Sequence, residues 1–317
     1  MFTTAEALRH INEDALAGDR YEKLLHGVYT VKGPVDHGLR IEAVRRRLGP
    51  EVILTGPSAA WAWGARLARA RSPVHVIVGS GLARRPLVAP HRVPIRLADV
   101  AVSPLGPATS PVRTCVDLAR GIGTGAASWK WRVAVVEAVM TATGTRADDV
   151  RAAADHARRL RGLPRARAVL THVRDGSESV RETLLRLCII EAGFPEPATQ
   201  YVVVDEDGVF VARLDLAWEE HRAGAEYDGA VHLDPDRHTK DLARHNALRA
   251  TSWTVLQVDR TGLARPRPFL TQLATLVPLR RTPPKPVITE GRDRVRWSSA
   301  DQGSVVTGRV GSAAHWE

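Results

Sequence analysis

The stretch that decides the fold of this chain runs over Val209–Gly229 and reads VFVARLDLAWEEHRAGAEYDG. Its β-branched and apolar composition predicts one strand over Val209–Trp218 and a second over Gly224–Tyr227. Asp215 lies inside the first strand, where an unpaired carboxylate is costly to bury. Glu226 lies at the end of the second strand. The stretch therefore predicts two neighbouring strands that each carry an acidic residue.

The residues on either side extend the two strands into a mixed sheet with flanking helices. A buried helical face precedes the strands, a Glu-Asp-Gly turn joins the first hairpin, and a helix and a strand follow. The added elements are the helix Ser177–Glu191, the strand Gln200–Val204, the helix Pro235–Ala250 and the strand Thr254–Val258. The order α-β-β-β-α-β predicts one domain over residues 177–280.

The two acidic residues define a candidate metal site. If the strands pair, the carboxylates of Asp215 and Glu226 meet at one edge of the sheet, and each raises the pKa of the other unless a cation neutralises them. Hard oxygen ligands of this kind suit Mg²⁺, with Mn²⁺ as a possible substitute. The structural alternative is that Asp215 pairs with Arg213 or Arg222 and that Glu226 is a surface residue at a strand end.

The first 35 residues predict a small segment of the winged-helix type. Thr3 and Glu6 have the Thr-x-x-Glu spacing of a helix capping box. Asn12–Ala17 predicts a second short helix, and Tyr21–Leu25 with Val28–Val31 predicts a hairpin. Helices followed by a small hairpin are typical of a winged helix, although this segment is short for one.

Residues 36–143 predict a separate α/β domain, because helical segments alternate with β-rich runs bounded by Gly, Pro and Arg. Helices are predicted over Leu39–Leu48, Ser58–Gly64, Ser110–Leu118 and Lys130–Ala142, and strands over Val52–Leu54, Val74–Val78 and Val93–Leu97. The fold class predicted for the whole chain is α/β, with an α+β front end.

Residues 144–176 predict a helical linker rich in arginine. Two helices are expected, with a break near Gly162 and Pro164. The exposed positions carry Arg158, Arg159, Arg165 and Arg167, among others. These side chains form either a solvated helix face or a set of phosphate contacts, and the sequence leaves both interpretations open.

Charge and composition bound the partners. The chain has 45 Lys and Arg against 35 Asp and Glu, a net charge of +10, and such a balance favours a polyanionic partner, most often DNA or RNA. Residues 281–317 are rich in Pro, Arg, Gly and Ser, which predicts a disordered basic tail. Cys115 and Cys188 have no partner at metal-ligand spacing and are expected to be buried free thiols. No apolar run is long enough to span a bilayer. We therefore expect a cytoplasmic protein without a membrane partner.

The carboxyl-terminal motifs resemble a known nuclease domain. Asp215, the run Glu226-Tyr227-Asp228-Gly229 with His232 after it, Asp241-x-x-Arg244-x-x-x-Leu248 and Trp253-Thr-Val-Leu are similar in order and spacing to the very-short-patch-repair-like endonuclease domain. That domain belongs to the PD-(D/E)XK nuclease superfamily, whose core is a mixed sheet flanked by helices. The Ser-x-Ser-x-x-Glu run that ends at Glu182 is similar to the helix that precedes this core.

The resemblance implies a set of roles for individual residues. Asp215, Glu226 and the Tyr227 carbonyl would bind the metal, Glu182 would hold its water shell, and His232 would carry a proton or polarise the water. Asp228 stands where the superfamily usually has a catalytic lysine, and Lys240 or Arg244, one strand-to-helix step later, could supply that cation instead. Phosphate contacts would come from the helix that follows, through Arg237 and Arg244.

The amino-terminal part resembles a different family. The runs FTTAEAL, LLHGVYTV, SAAWAWG, VHVIV and ATSPVRTCVDLA are similar in order to the AbiEi-type antitoxin of type IV toxin–antitoxin systems. That resemblance implies DNA binding by the front end and a cognate toxin protein as a possible partner. The sequence thus predicts a Mg²⁺-dependent DNA endonuclease or nickase, with a non-catalytic DNA-binding antitoxin or transcriptional regulator as the alternative. The oligomeric state is left open.

Overall fold

The computed structural model describes residues 1–79, 87–124, 127–228 and 235–280, and over residues 235–242 it describes the backbone alone. The fold is mixed α/β, with one three-stranded, one five-stranded and one four-stranded sheet in these ranges. The predicted α/β class is therefore confirmed. The predicted basic tail over 281–317 lies outside the described residues.

The first sheet is a small antiparallel unit with the strand order β1-β3-β2. The predicted capping box is confirmed, since the Thr3 hydroxyl accepts the Glu6 N–H at 3.2 Å while Glu6 accepts the Thr3 N–H at 2.6 Å. The strand β1 was not predicted, and it pairs with β3 through two residues. The elements are β1 (Phe2–Thr3), α1 (Thr4–Ala7), α2 (Glu13–Ala17), β2 (Tyr21–Leu25) and β3 (Val28–Val31).

The second sheet has five strands in the order β6-β5-β4-β8-β7 and is mixed in direction. Its elements are α3 (His37–Leu48), β4 (Ile53–Leu54), α4 (Gly56–Ala62), β5 (Val74–Ile77), β6 (Val88–His91), β7 (Val100–Ser103), β8 (Gly106–Thr109) and α5 (Pro111–Ala119). The sheet and α3 and α4 enclose one apolar core.

The strand predicted over Val93–Leu97 is wrong. Pro94 has no N–H to donate to a ladder, and its carbonyl accepts a bond from the Arg113 side chain at 3.3 Å. The strands lie on either side of this segment instead, as β6 and β7. A 3₁₀ turn over Leu97–Asp99 joins the segment to β7.

A layer of helices follows the second sheet. Its members are α6 (Trp129–Thr143), α7 (Ala147–His156) and α8 (Leu163–Leu170), and they share an apolar core with α5. The predicted break between the last two helices is confirmed. Gly162 adopts φ 86° and lies so close to the Arg120 carbonyl that a Cβ would be 2.9 Å from it. Pro164 lies in the first turn of α8, where a missing N–H costs nothing.

The third sheet has the strand order β12-β11-β10-β9, antiparallel except for the parallel pair β11–β12. The predicted order α-β-β-β-α-β is confirmed, and two helices that were not predicted follow it. The elements are α9 (Val180–Glu191), β9 (Ala198–Val204), β10 (Phe210–Trp218), β11 (Ala223–Tyr227), α10 (Pro235–Ala250), β12 (Thr254–Val258), α11 (Arg260–Ala264) and α12 (Arg267–Leu276).

The two faces of the third sheet have separate cores. Leu216 and Trp218 pack with residues of α9 and α12 on one face, whereas Leu214 packs with Leu248 and Trp253 on the face covered by α10. Leu214 and Leu216 would share a face in a regular strand. The strand β10 therefore changes the face that it buries between these two leucines, at the position of Asp215.

A buried ion pair joins the helical layer to the third sheet's domain. Glu137 of α6 and Arg186 of α9 are each 1% exposed, and Arg186 Nη2 lies 2.5 Å from Glu137 Oε1. Glu137 also accepts bonds from the Thr183 hydroxyl at 2.6 Å and from the Arg174 N–H at 2.8 Å. The carboxylate is thus fully hydrogen-bonded, as a buried charge requires.

Two further expectations concern the chain as a whole. Cys115 and Cys188 are buried free thiols, as predicted, and burial raises the pKa of both. Across the described ranges, the helices lack the combination of length and apolar character needed to cross a membrane.

Candidate functional site

The two predicted acidic residues lie on neighbouring strands, just beyond the end of the ladder between β10 and β11. The ladder between β10 and β11 pairs Leu216 with Ala225 and Ala217 with Gly224. One step further in the same register places Asp215 opposite Glu226. The Asp215 Oδ2 accepts the N–H of Tyr227 at 3.0 Å, so its side chain reaches across to the partner strand.

The local backbone explains why Asp215 is not packed like the leucines beside it. On the other side of β10, the pairs Leu214–Tyr201 and Leu216–Thr199 place Gln200 of β9 opposite Asp215. Gln200 has a positive φ of 52°, which is rare for a residue other than glycine. Both strands are therefore irregular at the same step, and the side chain of Asp215 lies at the point where β10 exchanges one buried face for the other.

Glu182 adds a third carboxylate from the first turn of α9. Its Oε2 accepts the Gln200 Nε2 at 3.0 Å and the Glu178 N–H at 3.1 Å. Gln200 lies opposite Asp215 in the register of β9 and β10, and its bond to Glu182 thus links α9 to the strand beside Asp215. The predicted placement of Glu182 beside the two strand carboxylates agrees with this geometry.

The environment of Asp215 disfavours its charged form. The pKa of Asp215 is raised from 3.8 to about 6: burial raises it most, the negative charges of Glu182 and Glu226 add to the rise, and the Tyr227 N–H and Arg244 act in the opposite direction. This combination of desolvation and like charges is typical of functional carboxylates. The structural alternative for Asp215 is wrong: Arg213 pairs with Glu178 at 2.9 Å and Arg222 donates to the Thr251 carbonyl at 3.1 Å.

Glu226 is held by one arginine of α10. Arg244 Nη1 donates to Glu226 Oε2 at 3.0 Å, and Nη2 donates to Oε1, so both carboxylate oxygens are occupied. The Glu226 side chain is 13% exposed, which excludes the interpretation as a surface residue at a strand end. Arg244 had been predicted as a phosphate contact, and in this structure its guanidinium neutralises a predicted metal ligand.

One arginine near the site was not singled out from the sequence. The Arg181 guanidinium of α9 lies 6.0 Å from the centroid of the Tyr227 ring. Arg181 directly precedes Glu182 in the chain, but one arginine among 45 basic residues carries no signal of its own. Its cation–π contact places a positive charge beside Tyr227.

Several predicted site residues lie where the structure gives no side chain. His232 lies outside the described residues, and the side chains of Arg237 and Lys240 on α10 are not described either. Asp228, in the place of the usual lysine, donates its backbone N–H to the Val258 carbonyl at 2.9 Å. The geometry therefore assigns positions to Asp215, Glu226, Tyr227, Glu182 and Arg244.

The arginines of the helical linker make mostly local contacts. Arg158 donates to the Asp155 carbonyl at 2.6 Å, and Arg167 Nε lies 3.3 Å from the Asp155 carboxylate. Arg159, at φ 57°, is exposed, and Arg165 is half-buried. Two of the four predicted phosphate contacts thus bind the C-terminal end of α7 in this structure.

The donor set at the site suits a hard cation under one condition. Asp215 Oδ1 and Glu182 Oε1 accept no hydrogen bond from any residue that the structure describes. Among the described residues, there is no group of three or more His, Cys, Asp or Glu side chains that could hold a metal ion as they stand. Because Arg244 occupies both oxygens of Glu226, a Mg²⁺ ion fits these carboxylates once that guanidinium moves away.

Comparisons with known proteins give relatives without a described function. No protein-family model matches the chain. Two uncharacterized proteins of Mycobacterium tuberculosis, MT2308 and Rv2248, are each 27% identical over 240 residues, which is 74% of this chain and 84% of each relative. The crystal structure of the RV2827C protein from the same organism is 17% identical, with a TM-score of 0.29, over 54% of this chain and 73% of that one.

Proposed function

We propose that the chain is a Mg²⁺-dependent DNA endonuclease or nickase of the PD-(D/E)XK type, with its site at Asp215 and Glu226. The observation that carries the proposal is the half-buried Asp215, whose pKa is raised to about 6 beside two further carboxylates. A fold does not keep such a group for stability, since its ionised form is disfavoured. A divalent cation would stabilise all three carboxylates together.

The residues present fit the metal as follows. Asp215 and Glu226 would hold it through carboxylate oxygens, with the Tyr227 carbonyl as a third donor. When bound, Mg²⁺ stabilises charge on a scissile phosphate and lowers the pKa of an attacking water. The Tyr227 N–H orients Asp215 through its bond to Oδ2. Glu182 and Gln200, joined at 3.0 Å, would position water beside the site.

Arg244 has a part in both states of the proposed site. Without a cation it neutralises Glu226, which would otherwise repel Asp215. Once displaced, its guanidinium remains on the same face of the sheet, where it would bind the phosphate of the substrate. Arg181, beside Tyr227, adds a second positive charge for the same purpose. His232, Lys240 and Arg237 keep their predicted roles in proton transfer and phosphate binding.

A plasmid-nicking assay tests the proposal. Wild-type protein with Mg²⁺ or Mn²⁺ is expected to convert supercoiled plasmid to the nicked form, and Asp215→Ala to abolish the reaction. Glu206→Ala removes an exposed carboxylate from the turn between β9 and β10 and is the matched control. Intact plasmid with wild-type protein at pH 7.5 and mM Mg²⁺ or Mn²⁺ would refute the proposal.

A second candidate function rests on a different observation. Asp228 stands where a lysine usually follows the acidic pair, and its backbone N–H donates to the Val258 carbonyl of β12. In addition, Arg244 occupies the carboxylate of Glu226. Both features favour a non-catalytic DNA-binding antitoxin or regulator in the cytoplasm, with a toxin protein as its partner. In that case wild type and Asp215→Ala would shift DNA equally in a gel, with a steep dependence on salt, and neither would cut it.

A further inference from the structure

A cavity of about 660 Å³ lies between α3, α4, the turn that joins β7 to β8 and the ends of α5 and α6. It shares no residue with the carboxylate site of the third sheet. Its volume lies within the range of about 300–1,000 Å³ that is usual for organic ligands. The residues that characterise its lining are Asp36, Glu42, Trp61, Trp63 and Arg66.

The two tryptophans of the cavity are fixed by their neighbours. The Trp63 indole donates to the Thr109 carbonyl at 2.8 Å. The Trp61 ring packs edge to face on His37, with centroids 5.5 Å apart, and the His37 Nε2 in turn lies 2.9 Å from the Ser58 hydroxyl. Burial lowers the pKa of His37 to about 4, so the ring behind Trp61 is neutral. The cavity therefore has an aromatic wall that is fixed in place and backed by a neutral imidazole ring.

The charge of the cavity is opposite to that of the whole chain. Asp36 caps α3, with its Oδ1 accepting the Leu39 N–H at 2.8 Å, and Glu42 is exposed further along the same helix. Within the described part of the chain neither carboxylate forms an ion pair. The lining thus carries two carboxylates and one arginine, on a protein with a net charge of +10.

A guanidinium already lies against the aromatic wall. Arg66 places its Cζ 5.9 Å from the centroid of the Trp61 ring, a distance typical of a cation–π contact. Among the residues that the structure describes, Arg66 forms no salt bridge. Its contact shows which chemistry the ring face accepts, and it also shows that the chain's own arginine competes for that face.

We propose that this cavity binds an organic cation with a guanidinium or ammonium group, supplied as a free small molecule or as a basic side chain. The Trp61 face would receive the cationic group in place of Arg66, and Asp36 and Glu42 would neutralise it. Nucleic acid and other polyanions are excluded from the cavity by the same two carboxylates. The proposal does not depend on nuclease activity, because the two sites share no residue.

Isothermal titration of the full-length protein tests the proposal with three probes: agmatine, spermidine and the peptide acetyl-Gly-Arg-Gly-amide. Binding of at least one probe is expected. Arg66→Ala is expected to strengthen it about two- to five-fold, because one cation–π competitor is removed. Glu42→Gln is expected to weaken it about two- to five-fold, the usual scale of an exposed ion pair. Glu51→Gln, an exposed carboxylate outside the cavity, should leave the affinity unchanged.

A variant that retains every charge completes the test. Gly38→Ala would place a Cβ 3.1 Å from the Trp61 Nε1 and crowd the aromatic wall, so it should weaken binding while thermal melting shows that the protein still folds. Binding of the free amines identifies a small-molecule site, and binding of the peptide alone identifies a protein partner. The proposal is overturned if no probe binds at 10 mM, if Arg66→Ala weakens binding, or if Glu51→Gln acts as strongly as Glu42→Gln.

Discussion

Substitution of Asp215 by asparagine is expected to stabilise the protein. The carboxylate has a pKa of about 6 in the fold against 3.8 ordinarily, so ionisation opposes folding by about 3 kcal/mol at 1.36 kcal/mol per pKa unit. Because Asp215 is only half-buried, solvent screening reduces this figure to about 1 kcal/mol. Asparagine removes the charge and retains an oxygen for the Tyr227 N–H.

The sign of the pH dependence follows from the raised pKa. Between pH 4 and pH 6 the unfolded chain releases the Asp215 proton while the folded chain retains it, so stability is lost as the pH rises through this window. The gain from Asp215→Asn should therefore be complete at pH 7, smaller at pH 5 and absent below about pH 4.

Chemical denaturation in EDTA at pH 7 and pH 4 measures this gain, with Glu206→Gln as the control for loss of an exposed carboxylate. Addition of Mg²⁺ should then stabilise wild type and leave Asp215→Asn unchanged, because only a folded site with its carboxylate binds the ion. If Asp215→Asn is less stable than wild type at pH 7 in EDTA, Asp215 contributes to the fold as an ion and the reasoning fails.

Three further predictions concern other parts of the chain. Arg244→Met should lower the free energy of unfolding by about 1–3 kcal/mol in EDTA, because Glu226 loses its only charged partner among the described residues. Addition of Mg²⁺ should restore part of this loss, as measured by thermal melting. Glu137→Ala should lower the free energy of unfolding by about 3–5 kcal/mol, whereas the double replacement Glu137→Met with Arg186→Met should lower it far less. Equal losses for the two variants in chemical denaturation would contradict a buried ion pair. Ser252→Gly should increase the free energy of unfolding by about 0.5–1 kcal/mol and so raise the melting temperature, because Ser252 adopts φ 62°. A melting temperature that is unchanged or lower would show that the turn is unstrained.

The third sheet was predictable from its sequence because each strand is a short apolar run with a clear boundary. Val209–Trp218 and Gly224–Tyr227 were expected one residue from where the strands begin, and the helix that precedes them was expected as well. Local composition and turn chemistry were sufficient for these elements.

Prediction failed where tertiary contacts override local composition. Val93–Leu97 is β-rich, yet it forms no strand, because Pro94 has no N–H to donate and its carbonyl accepts a hydrogen bond from the Arg113 side chain of α5 instead. The helix Arg267–Leu276 carries Phe269 and Leu273 at helical spacing and buries both against the sheet, although it was not predicted. Its signal is present in the sequence, but its position on the sheet is set by packing alone.

For the candidate site, the sequence predicted which strands carry the two acidic residues but not how their side chains pair. The strand order was sufficient to place Asp215 and Glu226 on neighbouring strands, just beyond the end of their ladder. The irregular step at Gln200, which adopts a positive φ without being a glycine, has no local signal. The same is true of Arg244, because the choice between a phosphate contact and an ion pair with Glu226 depends on how α10 lies across the sheet.

The central claim is that Asp215 and Glu226 together form a binding site for one divalent cation. Titration of Mn²⁺ followed by electron paramagnetic resonance measures this directly, without DNA and without turnover. One bound ion is expected for wild type and for Glu206→Gln, and none for Asp215→Asn. Equal binding by wild type and Asp215→Asn, or no binding by wild type at mM Mn²⁺, would contradict the claim.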